Sequence, residues 1–310
     1  MKGPRMEKIS IFVSHRIDKN SPVLQNSVYL PVRCGAVFDA HNKRKLIGDD
    51  TGENISYLRN TFCEMTVQYW AWKNVQADYY GLCHYRRYFS FSKAHFHEND
   101  QGTVIFRKLN TCVDKFQLND EEAAKKTILP WDCTVTTPYN VRRHGCQNLY
   151  MQFERSANLN EEALRMAVRI LGQMHPADVE FADDYLNGTL LYPCCMFIMQ
   201  RKIFFDYCQW LYPMLFAIQK ELETVQRKYL SMVVGHIAER FLGIYVTKLM
   251  NMPEKRVQIV QRGMTLDDLP TKKYWMFRAK EACRGILSSS NILKKQNDLE
   301  RKGMDVKRAQ

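Results

Sequence analysis

One apolar stripe does most to limit what this chain can fold into. Ile55, Leu58, Phe62, Met65, Tyr69 and Trp72 recur at spacings of 3, 4, 3, 4 and 3. That is one face of a helix, and such a face must be buried against another element. Short apolar runs bracket it. Lys8-Ile9-Ser10-Ile11-Phe12-Val13 reads as a buried strand stopped by Ser14-His15. Tyr29 to Val32 reads as a second strand and runs into Cys34-Gly35-Ala36. Tyr79-Tyr80-Gly81-Leu82-Cys83 reads as a third, with His84-Tyr85-Arg86-Arg87 at its C-terminal end. Strands alternating with a helix predict an α/β layered sheet. Ligands of such sheets sit beyond the carboxyl ends of the strands. Ser14, His15 and residues 84–87 are therefore expected beside a ligand.

The rest of the chain is less evenly patterned. Residues 92–127 are polar, charged and without clear period, and read as an insertion or mobile excursion. Strand character returns over 128–138, a helical stretch over 160–174, and a compact buried strand over 192–199. Phe204, Cys208, Leu211, Leu215, Ile218 and Leu222 alternate at 4 and 3, so a second strong helix is expected, with Pro213 marking a kink or a new start. A third helix covers about 232–250. With 310 residues, 45% of them apolar, the chain can hold a real core. The expected division is one large domain over 1–250 and a helical, basic extension over 251–310.

The net charge of +12 is uneven. From Glu254 onward there are 14 Lys+Arg against 7 Asp+Glu; the preceding residues hold 31 against 26. A basic end of this kind suits an anionic partner, such as a membrane surface, a nucleic acid or a phosphorylated lipid; a solvated helical tail has the same composition. The aromatics fall in core helices rather than between Lys and Arg on an exposed sheet, which argues against nucleic acid. The N-terminus is polar and basic, no run approaches the roughly 18 apolar residues that span a bilayer, and the ten cysteines form no C-x-x-C pair. A reducing, cytoplasmic setting is expected.

Several groups could carry chemistry. Arg86 and Arg87, flanked by His84, Tyr85, Tyr88 and Phe89, offer guanidinium forks that match phosphate oxygens; a surface ion-pair cluster would look the same. Gly48-Asp49-Asp50-Thr51-Gly52-Glu53-Asn54-Ile55-Ser56 is a Gly-bounded loop feeding a helix. Its side chains suit ribose hydroxyls or a base edge, and the helix start suits an anion; it is equally good capping chemistry. Glu64 lies off the apolar stripe on a helix that also bears Lys73. It could face a ligand or solvent. Glu239 and Arg240, with His236 one turn earlier, could share a helix side. A carboxylate near a histidine can deprotonate a hydroxyl, and an ordinary surface pair fits too. Asp183-Asp184 is the other acidic cluster. No G-x-G-x-x-G, P-loop or G-x-S-x-G occurs, against dehydrogenases, kinases and serine hydrolases. No D-x-D triplet stands at a strand end.

Taken together, Val13-Ser14-His15, the Gly48-to-Ser56 loop, Cys63-Glu64-Met65-Thr66 with Tyr69-Trp70-Ala71-Trp72-Lys73-Asn74, and Tyr80-Gly81-Leu82-Cys83-His84-Tyr85-Arg86-Arg87-Tyr88-Phe89 resemble the DUF4422 family. Met196-Phe197-Ile198-Met199, Tyr207-Cys208-Gln209-Trp210-Leu211 and Gly235-His236-Ile237-Ala238-Glu239-Arg240 resemble its second half. These are bacterial capsular and exopolysaccharide glycosyltransferases. The resemblance implies a GT-A-like (Rossmann-like) mixed sheet flanked by helices. It also implies transfer of a hexosyl group from a nucleotide sugar, UDP-hexose or UDP-galactofuranose, to a glycan or polyprenyl-diphosphate-linked acceptor. Ser14, His15, Asp49, Asp50, Thr51, Gly52, Asn54, Ile55 and Lys73 would hold the nucleotide. Arg86 and Arg87, where GT-A enzymes have D-x-D, would neutralise the diphosphate in place of Mn²⁺ or Mg²⁺, so no metal cofactor is required. His84 or Tyr85 would line the sugar pocket, with Arg240 also on the donor, and Glu239, His84 and Glu64 would be catalytic. Pro193-Cys194-Cys195 departs from the family pattern near the acceptor pocket. The basic tail would dock on an anionic leaflet.

Overall fold

The computed structural model describes residues 7–42, 44–156, 161–225, 231–267 and 269–279. The first strand, β1 (Ile9–Arg16), is buried along nearly its whole length. Its side chains alternate between faces: Ile9, Ile11 and Val13 enter one hydrophobic core and Phe12 the other. Next come β2 (Tyr29–Cys34) and β3 (Ile47–Gly48), parallel neighbours on one side of β1. The stripe read as one helix is three pieces: a 3-10 turn Ser56–Leu58, α1 (Arg59–Phe62) and α2 (Met65–Asn74). The break falls at Cys63, whose φ of 51° interrupts the helical path. The chain then enters β4 (Tyr79–His84), parallel to β1 on its other side. Gly81 is needed there, because a Cβ would stand 2.9 Å from Ile11.

Residues 92–127 are not a featureless excursion. After β5 (Arg87–Phe89) they supply β6 (Thr103–Phe106), α3 (Leu109–Phe116) and α4 (Glu121–Ile128). These cover the second core, where Leu109, Cys112, Phe116 and Ile128 are buried. Further on are β7 (Cys133–Thr136), β8 (Tyr139–Asn140), α5 (Leu149–Arg155), α6 (Glu161–Met174), α7 (Val179–Asn187), β9 (Leu190–Leu191) and β10 (Phe197–Gln200). The strand expected over 192–199 starts only at Phe197, because Cys194 and Cys195 take left-handed φ values of 69° and 49° and make a turn. The long helix α8 (Arg201–Val225) runs through Pro213 without a break in its assignment. Pro213 and Gln209, whose carbonyl loses its partner, are both exposed, so water can satisfy it. The helix α9 (Val233–Met250) follows as expected.

The boundary expected at 250 does not hold. Two strands lie beyond it, β11 (Val257–Val260) and β12 (Arg262–Thr265). The main sheet has the order β11-β7-β10-β4-β1-β2-β3, with β10 antiparallel to both neighbours and every other pairing parallel. A small sheet, β5-β12-β6, stands beside it, and β8 pairs with β9. Residues 271–279 are helical; the rest of the expected basic extension, 280–310, lies outside the described residues. No helix of the described residues is long and apolar enough to cross a membrane.

Candidate functional site

The carboxyl ends of β1, β2 and β4 meet the start of α2 at a cavity of about 180 Å³. Ser14, Arg16, Cys34, Cys63, Glu64 and His84 are among its walls. Ser14 and His84 sit side by side because β1 and β4 are parallel and in register there. Glu64 reaches the cavity because the Cys63 break lets α2 begin at the crevice and run away from it. A larger groove of about 740 Å³ lies along β11, but its charged side chains, Lys93, Asp120, Glu122 and Lys126, are all exposed.

The electrostatics concentrate around the smaller cavity. The pKa of Glu64 is raised by burial and by repulsion from Glu239, against its own backbone N–H and Arg87. Burial also opposes ionisation of Glu239, but Arg240, His236 and the Cys194 N–H outweigh it and hold its pKa below the ordinary value. Glu239 Oε1 accepts from the Cys194 N–H, and Oε2 accepts from Arg240 Nη1. Arg240 is 1% exposed, donates through Nη2 to Gln152 Oε1, and lies 5.5 Å from the Phe153 ring. His84 is driven well below its ordinary pKa by burial and by the Arg87 and Arg86 cations. Burial, then Arg44, pushes His15 down to about 3. Both rings are therefore neutral near pH 7. His15 Nδ1 lies 3.2 Å from Ser21 Oγ, while His15 Nε2 and His84 Nδ1 are buried with no partner among the described residues. Arg86 follows in the turn, its guanidinium 5.1 Å from the Tyr85 ring and its carbonyl accepting from the Thr265 N–H.

The other residues expected to hold a nucleotide are placed elsewhere. Asp49 is buried and spent on protein donors: the Gly35 and Ala36 N–H groups, each at 2.9 Å, Ser56 Oγ at 2.6 Å and Thr66 Oγ1 at 2.5 Å. Ile55 packs into the core. Asp50 is exposed on the loop, and Thr51, Gly52 and Asn54 fold over the outer half of α2. Trp70 Nε1 donates to Thr51 Oγ1 at 2.9 Å, and Asn74 closes under Gly52. Asn54 caps the turn by accepting from the Ser56 N–H. Lys73 pairs with Glu53 at 3.0 Å, about 14 Å along the helix from Glu64. This loop is a clasp on α2, not a wall of the cavity. Asp183 and Asp184 lie exposed on α7. No group of three or more His, Cys, Asp or Glu suited to a metal ion occurs among the described residues. The nine described cysteines are free.

Sequence reasoning missed Arg262 and Tyr139. Arg262 is 2% exposed. Its guanidinium donates to Thr103 Oγ1, Thr136 Oγ1 and the Gln101 and Thr137 carbonyls, with no carboxylate partner among the described residues. Burial lowers its pKa, and the influence of Arg87, Cys194 and Glu239 marks its place by the crevice. Burial and Glu239 push the Tyr139 phenol up to about 12. No local pattern announces either residue, because the strands that bring them together are far apart in sequence.

The fold has a solved counterpart. The apo structure of WbbM, a bifunctional glycosyltransferase, superposes with a TM-score of 0.77 at 31% identity. The match covers 84% of this chain and 45% of that one, so the chain spans less than half the length of WbbM. The shared mixed sheet flanked by helices is GT-A-like, as the resemblance implied. No curated protein matches the chain. A family model described as a domain of unknown function, DUF4422, matches residues 10–251. From β1 through the end of α9, the chain belongs to the DUF4422 family.

Proposed function

We propose that the chain is a glycosyltransferase that moves a hexosyl group from a nucleotide sugar, UDP-linked, to a glycan or lipid-linked glycan acceptor in capsular polysaccharide, exopolysaccharide or O-antigen synthesis. The observation that carries the reading is the pair Glu64, on the cavity wall, and Glu239, close enough to repel it, whose environments push their pKa values in opposite directions. Such a split separates a proton-accepting role from an electrostatic one. The likeness to a glycosyltransferase supports it.

Glu64 is the general base. It takes the proton of the acceptor hydroxyl as that oxygen bonds to the anomeric carbon. The bond from that carbon to the diphosphate breaks, and the diphosphate leaves with the electron pair. Arg86 and Arg87 offset the charge that develops on it, the task a metal ion performs in other enzymes. A single displacement of this kind inverts the anomeric centre. Glu239 stays ionised and holds Arg240 and the Cys194 turn in position. The neutral His15 and His84 rings offer their unpartnered nitrogens to the donor.

A thermal-shift screen against UDP-, GDP- and CMP-linked sugars tests the donor class. UDP-sugars should raise the melting temperature, and Arg87→Ala should weaken that binding at least tenfold, the loss of one bidentate charge-assisted contact. Unchanged binding in Arg87→Ala overturns the assignment. Activity lost in EDTA and restored by Mn²⁺ overturns the metal-free role of the arginines.

A further inference from the structure

Residues 271–279 form a helical segment that follows β12, and the Tyr274 N–H bonds back to the Pro270 carbonyl at 2.9 Å. Its sequence, Thr-Lys-Lys-Tyr-Trp-Met-Phe-Arg-Ala, has no acidic residue. Helical spacing divides it into two faces. Tyr274 and Phe277 are half-buried and turn toward the protein, with the Arg107 guanidinium 4.9 Å from the Tyr274 ring. Lys272, Trp275, Met276 and Ala279 turn outward. Lys273 and Arg278 flank that face on either side. Trp275 is 64% exposed and Met276 52%. Two adjacent large apolar side chains left in water, ringed by cations, are not ordinary scattered surface hydrophobics.

We propose that this face docks the protein on a bilayer that carries anionic lipid headgroups. Trp275 and Met276 enter the headgroup boundary, the depth that Trp favours. Lys272, Lys273 and Arg278 lie at the phosphates, with their stems along the apolar surface. A basic helix with Trp on its apolar side is the pattern of an interfacial segment. The charge continues in the sequence, where residues 280–310 carry 8 Lys+Arg against 4 Asp+Glu. Nine residues offer little apolar area, so attachment is reversible and depends on anionic lipid.

The chain just before the segment is tied to the turn that bears Arg86 and to Arg107. The Thr265 N–H donates to the Arg86 carbonyl at 2.8 Å, and Arg107 Nη1 donates to the Leu266 carbonyl at 2.6 Å. The docking proposal needs no turnover and stands apart from the glycosyltransferase reading.

Co-sedimentation of the full chain with vesicles decides it. The chain should pellet with phosphatidylcholine vesicles containing phosphatidylglycerol, not with phosphatidylcholine alone, and less as salt rises. Trp275→Ala/Met276→Ala and Lys272→Glu/Lys273→Glu should each cut binding by at least about tenfold. All four side chains are exposed, so the circular dichroism melt of each variant should match the parent. Undiminished binding by the Trp275→Ala/Met276→Ala variant overturns the proposal. So does failure to bind the anionic vesicles, or preferential binding of single-stranded RNA through the same residues.

Discussion

Glu64 and Glu239 feel one another's charge, and their pKa values move in opposite directions. The raised pKa of Glu64 means that its folded environment favours the protonated form. The stability it contributes is fully present below the ordinary carboxylate value of 4.5 and is lost as pH rises through the folded-state value. Glu64→Gln keeps the shape and removes that loss. At neutral pH the variant should melt higher than the parent, and the difference should vanish in melts run below pH 4.5. Its transfer rate should fall by roughly 10²-fold or more, the size of a lost general base. A variant that transfers normally, or melts lower at neutral pH, would remove Glu64 from the base role. The sequence put Glu64, Glu239 and His84 in the catalytic set; Glu64 and His84 line one cavity, and Glu239 acts on Glu64 through its charge. It also put Asp49 on the nucleotide, which the fold does not support. The four groups that use up the Asp49 oxygens come from Gly35, Ala36, Ser56 and Thr66. Nothing in a Gly-bounded acidic loop distinguishes a carboxylate aimed at ribose from one aimed at its own backbone.

Among the elements, α7 and α9 pack closely behind the Cys194-Cys195 turn. They approach at Gly243, where a Cβ would stand 1.9 Å from the Tyr185 ring. Tyr185 in turn accepts the Tyr192 N–H at 3.1 Å, just before the Pro193-Cys194-Cys195 turn that Glu239 holds. Gly243→Ala must therefore move a buried ring and the turn behind it. Overpacking of this kind costs about 1–3 kcal/mol, which a denaturant melt should register, and turnover should fall with it. A neutral Gly243→Ala would mean that the helices can part freely. The elements legible in sequence were those with many periods or a full apolar run: β1, β2, β4, α6, α8 and α9. The helices α3 and α4 have eight residues each, too short for a period to stand out among Lys and Glu. The strands β11 and β12 have four residues each and pair with strands distant in sequence, Val257 with Cys133 and Arg262 with Thr103.

At the scale of the whole molecule, those two short strands decide where the domain ends. The family match stops at residue 251, but the sheets do not. Truncation after Met250 strips β11 from β7 and removes β12 from between β5 and β6, which pair only through it. It also removes Arg262, whose guanidinium joins Thr103 of the small sheet to Thr136 of the main one. The second core, packed around Phe106, Phe116 and Val104, would then face water on its open side. A domain of ordinary stability persists by only roughly 5–15 kcal/mol, so losing two paired strands and a buried guanidinium is expected to unfold it. The chain ending at Met250 should therefore aggregate and show no cooperative thermal transition, while one ending at residue 279 keeps every strand of the three sheets and should melt in one step. The sequence reading, with a separable extension from 251, predicts the opposite for the shorter chain: a soluble, cooperative domain with an intact crevice. Expressing both truncations and comparing their melts separates the two views, because the shorter chain retains Glu64, His84, Arg87 and Glu239 and lacks β11, β12 and the helical segment after them.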